Sequence, residues 1–190
     1  MDTLRKSIAA GIMISIGAYG ILVIENNYAS ALLFTLGLLT ICKLKLNLFT
    51  GKCGFVLENK KWRELWLILL GNLATGYLLG LAYSTISSEL VDAAAAKVST
   101  WNFTPGFFIK SLLCGVLMYI AVKLYQCGTI LGIIIGIPLF ILCGFQHCIA
   151  NVVYMGVART IHPSLLIAIV GNMAGSLLIW YFTRDLSITE

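Results

Sequence analysis

A histidine stands in the middle of a long apolar stretch, in Gly144-Phe145-Gln146-His147-Cys148-Ile149-Ala150-Asn151. An imidazole there can donate a hydrogen bond, and it can take or give a proton near neutral pH. Facing a narrow path, it would hydrogen-bond a small anion or supply the proton that makes the anion a neutral acid. The competing reading is a histidine that only bonds a neighbouring helix. An earlier apolar stretch carries a second polar interruption, Asn47-Leu48-Phe49-Thr50-Gly51. A non-helical excursion at bilayer depth is tolerated only where it is buried in protein or lines a cavity. Its backbone N–H groups and the Thr50 hydroxyl suit an anion, while Leu48 and Phe49 would exclude hydrated ions. As an alternative, Lys52 follows at once and fits an ordinary surface turn. Phe34 and Phe140 stand about two turns before these interruptions and would narrow a path or simply pack. Lys97 and Lys110 would attract anions to an outer mouth or sit at headgroup level. The spans hold no Ser/His/Asp set, HExxH, phosphate loop or paired carboxylates, so nothing supports enzymatic chemistry or a bound cofactor.

These residues need a membrane to make sense. The chain has 190 residues, 59% hydrophobic and 11% charged, with a mean hydropathy of +0.95. A soluble domain carries roughly 25% charged residues, more than are available here to cover a wet surface. Several stretches reach about 20 apolar residues, the length that crosses a hydrocarbon core as a helix. Arg5 and Lys6 precede the first of them as in a signal peptide, but no small-residue cleavage site follows, so it reads as a membrane helix. The net charge of +5 lies between the spans rather than in a nucleic-acid patch. Cys42, Cys53, Cys114, Cys127, Cys143 and Cys148 follow no CxxC spacing, and most sit in apolar segments. A metal site or structural disulfide is therefore not expected.

Spans are predicted near 7–24, 28–48, 64–84, 107–125, 129–158 and 164–182, with a long connector over 85–106 that holds Asp92, an alanine run and Pro105. With the amino terminus inside, eight Lys and Arg face inward (Arg5, Lys6, Lys52, Lys60, Lys61, Arg63, Lys123, Arg184) and three outward (Lys97, Lys110, Arg159). That bias predicts cytoplasmic termini in a plasma (inner) membrane. Gly71-Asn72-Leu73-Ala74 returns 100 residues later as Gly171-Asn172-Met173-Ala174. Three spans per half is an odd number, so the second half enters the membrane inverted. The expected fold is an all-α membrane protein with six transmembrane helices in a 3+3 inverted repeat, helices 2 and 5 broken. It forms a single channel domain over 1–190, with halves of about 1–90 and 91–190 and a solute site where they meet. Asn72 and Asn172 are read as hydrogen-bonding helices together, beside glycines that let the helices approach.

Three short motifs, in the right order and spans, resemble the formate/nitrite transporter family over nearly the whole chain. Leu48-Phe49-Thr50-Gly51 is similar to its loop motif in the broken second helix, Gly144-Phe145-Gln146-His147 with Ala150-Asn151 to its central-histidine motif, and Gly171-Asn172 to its sixth-helix motif. The resemblance implies a homopentamer of six-helix protomers, each with an aquaporin-like pore for small monovalent anions such as formate, nitrite or hydrosulfide. It implies an outer constriction of Phe34 and Phe140, an inner one of Leu38, Leu48 and Phe49, and His147 between them with Thr50 facing it. It also places Asn151 in the pore lining and makes Lys97 the lysine that draws anions into the vestibule. A bare anion crosses two apolar constrictions only at high cost, whereas its neutral acid does not. Anions gathered near Lys97 would take a proton from His147 or from relayed water and pass as the acid.

Departures from the family pattern accompany the likeness. Gln146 stands where a Glu usually precedes the histidine, removing a charge that would hold the imidazole protonated. Gly115 stands where the fourth span usually has Asn, which predicts an altered or wider lining. Lys43 and Lys45 lie close to the loop, where they add positive field on the inner side or snorkel. The chain is also short for the family. Two other readings stay open: a pore for water, ammonia or hydrogen sulfide, and a membrane scaffold that conducts nothing.

Overall fold

Hydropathy alone requires long self-satisfied helices, and a computed structural model, which describes residues 1–186, builds them. Four are long and apolar enough to cross a bilayer: α1 (Asp2–Val23), α5 (Trp62–Tyr83), α7 (Pro105–Gln126) and α10 (Ser164–Thr183). At 1.5 Å per residue each spans about 30 Å, the thickness of a hydrocarbon core. The second and fifth apolar segments form shorter pieces. The second gives α2 (Asn27–Lys43), a bend, α3 (Phe49–Lys52), a 3₁₀ turn (Cys53–Phe55) and α4 (Val56–Asn59). The fifth gives α8 (Leu131–Leu142), a bend over 143–147 and α9 (Cys148–Val157).

Both bends are closed by the same cap. At the end of α2 the Leu46 N–H donates to Ile41 O (2.9 Å) and Lys45 N–H to Cys42 O (3.2 Å). At the end of α8 the Phe145 N–H donates to Phe140 O (2.9 Å) and Gly144 N–H to Ile141 O (3.0 Å). Each cap needs one left-handed residue, here Lys45 (φ 52°) and Gly144 (φ 66°). Glycine takes that conformation freely, whereas a residue with a Cβ is disfavoured by about 1 kcal/mol.

The connector over 85–106 contains a helix of its own. Ser87 caps a twelve-residue helix, α6 (Ser88–Ser99), by accepting the Leu90 N–H through its Oγ (3.2 Å). The serine followed by an alanine-rich run was the available signal, since Ala is the strongest helix former and Ser a strong N-cap.

Packing interlocks the first and second parts of the chain. α5 lies against α1 and α9, α10 against α7 and the 3₁₀ turn, and α2 against α8. α6 rests on α9 and α1. The core is apolar and tight, with Ile14, Leu38, Phe49, Ile133, Ile149 and Met155 fully enclosed. Large apolar side chains also cover the outside, among them Leu33, Leu36, Ile135, Leu166 and Val170. A water-facing surface would not be built this way, but a lipid-facing one would.

Candidate functional site

Two asparagines hold the bends. Asn72 on α5 donates through Nδ2 to Ser7 O (2.7 Å) and Asn47 O (3.0 Å), while its Oδ1 accepts the Phe49 N–H (2.8 Å). Asn172 on α10 repeats the pattern, donating to Ser111 O (2.7 Å) and Gln146 O (2.7 Å) and accepting the Cys148 N–H (2.9 Å). Both side chains are fully buried. Each ties a long helix, a bend and the first N–H of the helix after that bend into one node. Exposed polar backbone at this depth has no water to bond, so one amide replaces three lost partners.

The second bend also delivers His147, which is 2% exposed. It is the N-cap of α9, with Nδ1 accepting the Ala150 N–H (3.2 Å). Its Nε2 lies 2.9 Å from Thr50 Oγ1, across from the first bend. Since Nδ1 is occupied as an acceptor, the hydrogen-bond network assigns the ring proton to Nε2, donated to Thr50. Thr50 then keeps its own O–H as a donor. Phe140 stacks on the imidazole (centroids 5.9 Å, planes 29° apart) and meets Phe34 edge-on (5.9 Å, 87°). One polar pair therefore sits directly beneath an aromatic pair.

A cavity of about 590 Å³ opens on the other side of this node. Leu38, Ile41, Leu48 and Phe55 line its apolar wall, and Lys45, Lys52, Glu58, Asn59 and Gln126 its polar one. The Glu58 carboxylate accepts the Trp180 Nε1–H at 2.6 Å. Phe49 is fully buried and is not part of this wall, whereas Leu38 and Leu48 are. On α6, Lys97 Nζ stands 5.1 Å from the Tyr154 ring centroid, a cation–π distance. Protein crowding around Lys97 lowers its pKa below the ordinary lysine value. Lys97 is nevertheless exposed to solvent, which keeps the ammonium hydrated.

The sequence-predicted residues thus fall into groups. Phe34, Phe140, His147 and Thr50 are brought together, Leu38 and Leu48 line the cavity, and Lys97 stands apart on α6. Asn151 is buried, and its Nδ2 donates to Gln146 Oε1 (3.0 Å). Gln146 also donates through Nε2 to Gly144 O (3.1 Å), so its side chain braces the bend. Gly115 corrects an expectation. It is buried at the crossing of α7 and α10, where a Cβ would collide with the Asn172 backbone, so it does not widen a path. Close helix approach, not lining, selects glycine there. Sequence reading also missed Tyr154, which receives Lys97, because a single tyrosine in an apolar run carries no signal.

Residues 1–183 match the formate/nitrite transporter family. The chain is 26% identical over 149 residues to the formate channel FocB of Escherichia coli (strain K12), covering 66% of this chain and 52% of that one, so it spans about half the length of the relative it matches. Among solved structures it resembles an FNT family ion channel (TM-score 0.76, 22% identity, 95% of this chain and 89% of the other). It also resembles a pentameric formate channel with formate bound (TM-score 0.74, 19% identity, 97% of each chain). These structural likenesses establish a shared helical fold.

Proposed function

This chain belongs to the formate/nitrite transporter family, and from that membership we propose that it is a membrane channel passing small monovalent anions, formate, nitrite or hydrosulfide, as their neutral acids. The observation that carries the reading is the Thr50–His147 pair, buried at 2.9 Å with Phe140 stacked on the imidazole. Phe34 and Phe140 act as the outer constriction, and Leu38, Leu48 and Phe49 as the inner one. An ion leaving water for such a gap loses its hydration, and desolvation makes a carboxylate more basic. It therefore takes a proton from vestibule water before it enters. His147, held neutral by its bond from Ala150, donates to Thr50 and aims that hydroxyl at the passing solute. Of the two proton sources considered, relayed water suits this bonding better than the imidazole, because both ring nitrogens already have partners. Lys97 raises the anion concentration outside the aromatic constriction.

Support for an inverted 3+3 repeat of six spans with broken second and fifth helices comes from the matched caps of α2 and α8 and the matched bonds of Asn72 and Asn172. We treat residues 1–190 as one channel domain, with inverted halves, both termini cytoplasmic and the plasma (inner) membrane as its location. The relative solved as a pentameric formate channel supports a homopentamer of such units. Proteoliposome uptake of formate, nitrite and hydrosulfide tests the function. At least one solute should enter well above protein-free liposomes, and His147→Ala should slow it at least tenfold, given the size of lost polar stabilisation at buried sites. Equal uptake with and without protein would refute the reading.

A further inference from the structure

The turn from α5 into α6 and the end of α9 enclose a cavity of about 540 Å³ that shares no lining residue with the one described above. Ser84, Thr85, Ser87, Ser88, Asp92 and Arg159 line it. Arg159 ends α9 by the same cap that closes the two bends: Thr160 N–H donates to Met155 O (3.0 Å) and Arg159 N–H to Gly156 O (3.1 Å). It holds the left-handed position (φ 52°), where a Cβ is disfavoured by about 1 kcal/mol relative to glycine. Its guanidinium offsets that strain by clasping the end of α5, with Nε donating to Ser84 Oγ (3.0 Å) and Nη2 to Ser84 O (3.1 Å).

The clasp uses two of the guanidinium N–H donors and leaves the others free. Asp92, on α6, lines the same cavity, whereas its neighbour Glu89 does not. Neither Arg159 nor Asp92 makes an ion pair among the described residues. One cavity therefore holds a cation and an anion that do not neutralise each other, which suits a ligand carrying both charges. α5 is long enough to cross a hydrocarbon core, so the cavity just beyond its end at Tyr83 lies at headgroup depth. Ile86 and Ile161, close in sequence to the lining residues, are 58% and 75% exposed. Open apolar side chains beside a charged cavity fit an amphiphile better than a dissolved solute.

We propose that this cavity binds the headgroup of a zwitterionic phospholipid with a primary ammonium, phosphatidylethanolamine, its phosphate on Arg159 and its ammonium on Asp92. Guanidinium recognises phosphate through N–H donors, and the bonds to Ser84 hold the free ones in place. The primary ammonium donates to Asp92 and to Thr85, whose Oγ1 gives its own proton to Ala82 O (2.7 Å) and keeps lone pairs to accept. A trimethylated ammonium has no N–H to give, and a glycerol headgroup has no positive charge for Asp92. Bound lipid ties the ends of α5, α6 and α9 together, and α9 carries His147 at its other end. The proposal stands independently of the anion-channel reading.

Asp92→Asn provides the test, because it keeps the side chain's shape and leaves the clasp of Arg159 on Ser84 intact. The chain, purified in detergent, is titrated with phosphatidylethanolamine, phosphatidylcholine and phosphatidylglycerol of matched acyl chains, and native mass spectrometry reads how much of each stays bound. Wild type should hold the ethanolamine lipid about fivefold more tightly than the other two, the scale of a solvent-accessible ion pair. Asp92→Asn should abolish that preference, and Arg159→Gly, which relieves the left-handed strain, should weaken all three lipids. Melting temperature gives a second reading: phosphatidylethanolamine should raise it more than phosphatidylcholine in wild type, and no more than phosphatidylcholine in Asp92→Asn. Equal retention of the three lipids by wild type, or a preference that survives Asp92→Asn, would overturn the proposal. Glycerophosphoethanolamine that competes as well as the whole lipid would assign the cavity to a dissolved zwitterion and equally overturn it.

Discussion

At the scale of single residues, the account turns on which atoms carry protons. His147 gives its Nε2–H to Thr50 and receives the Ala150 N–H on Nδ1, so Thr50 is the group left free to donate. Thr50→Val keeps the shape and removes that donor; formate flux should fall about tenfold, the worth of one hydrogen bond of about 1.4 kcal/mol. Unchanged flux in this variant would exclude the hydroxyl from the path. Lys97 gives a pH signature. Crowding lowers its pKa, so its positive charge, complete at neutral pH, is lost as pH rises through that lowered value, before an ordinary lysine would discharge. Crowding around this exposed cation opposes folding only weakly, and that opposition fades over the same rise in pH. Lys97→Met should therefore lower flux at neutral pH and match wild type in the alkaline range, as flux titrations would read. His147 and Thr50 were both visible in the sequence, because polar groups in apolar runs stand out. That they face one another came only from the family resemblance, since 97 residues separate them and no local pattern reports a contact made by topology.

At the scale of elements, the bends are made by caps and asparagines rather than by flexibility. Asn172→Ala leaves the Cys148 N–H and two carbonyls without a partner in a buried place. It should destabilise the protein by about 3 kcal/mol, seen as a lower melting temperature, with Asn72→Ala similar. Lys45→Gly should raise stability by about 1 kcal/mol, whereas Gly144→Lys should lower it by as much. Gly115→Asn should unfold the α7–α10 contact without altering solute preference; a folded variant with changed selectivity would show that Gly115 does line the path. The Gly-Asn echo at an offset of 100 residues was legible early, and the bonds of its asparagines explain it as positioning of the bends. Helix α6 was less legible. It lies in a connector whose composition reads as polar loop until the Ser87 cap and alanine run are weighed together.

At the scale of the whole molecule, hydropathy sufficed for the long helices, since length and apolarity set what can cross a bilayer. It was silent on the cavity, which arises only when distant segments meet. Assembly into a homopentamer is a proposal that the likeness to a solved pentameric formate channel motivates. Native mass spectrometry in detergent should find a particle five times the 20.7 kDa chain, and a persistent monomer would contradict it. The central claim is that an anion crosses only with its proton. The most direct measurement follows labelled formate uptake and lumenal acidification together in the same proteoliposomes, with the membrane voltage clamped by a potassium ionophore. The account predicts a proton delivered for every formate and a rate indifferent to voltage. Formate entry without acidification, at a rate set by voltage, would show passage of the bare anion and contradict it.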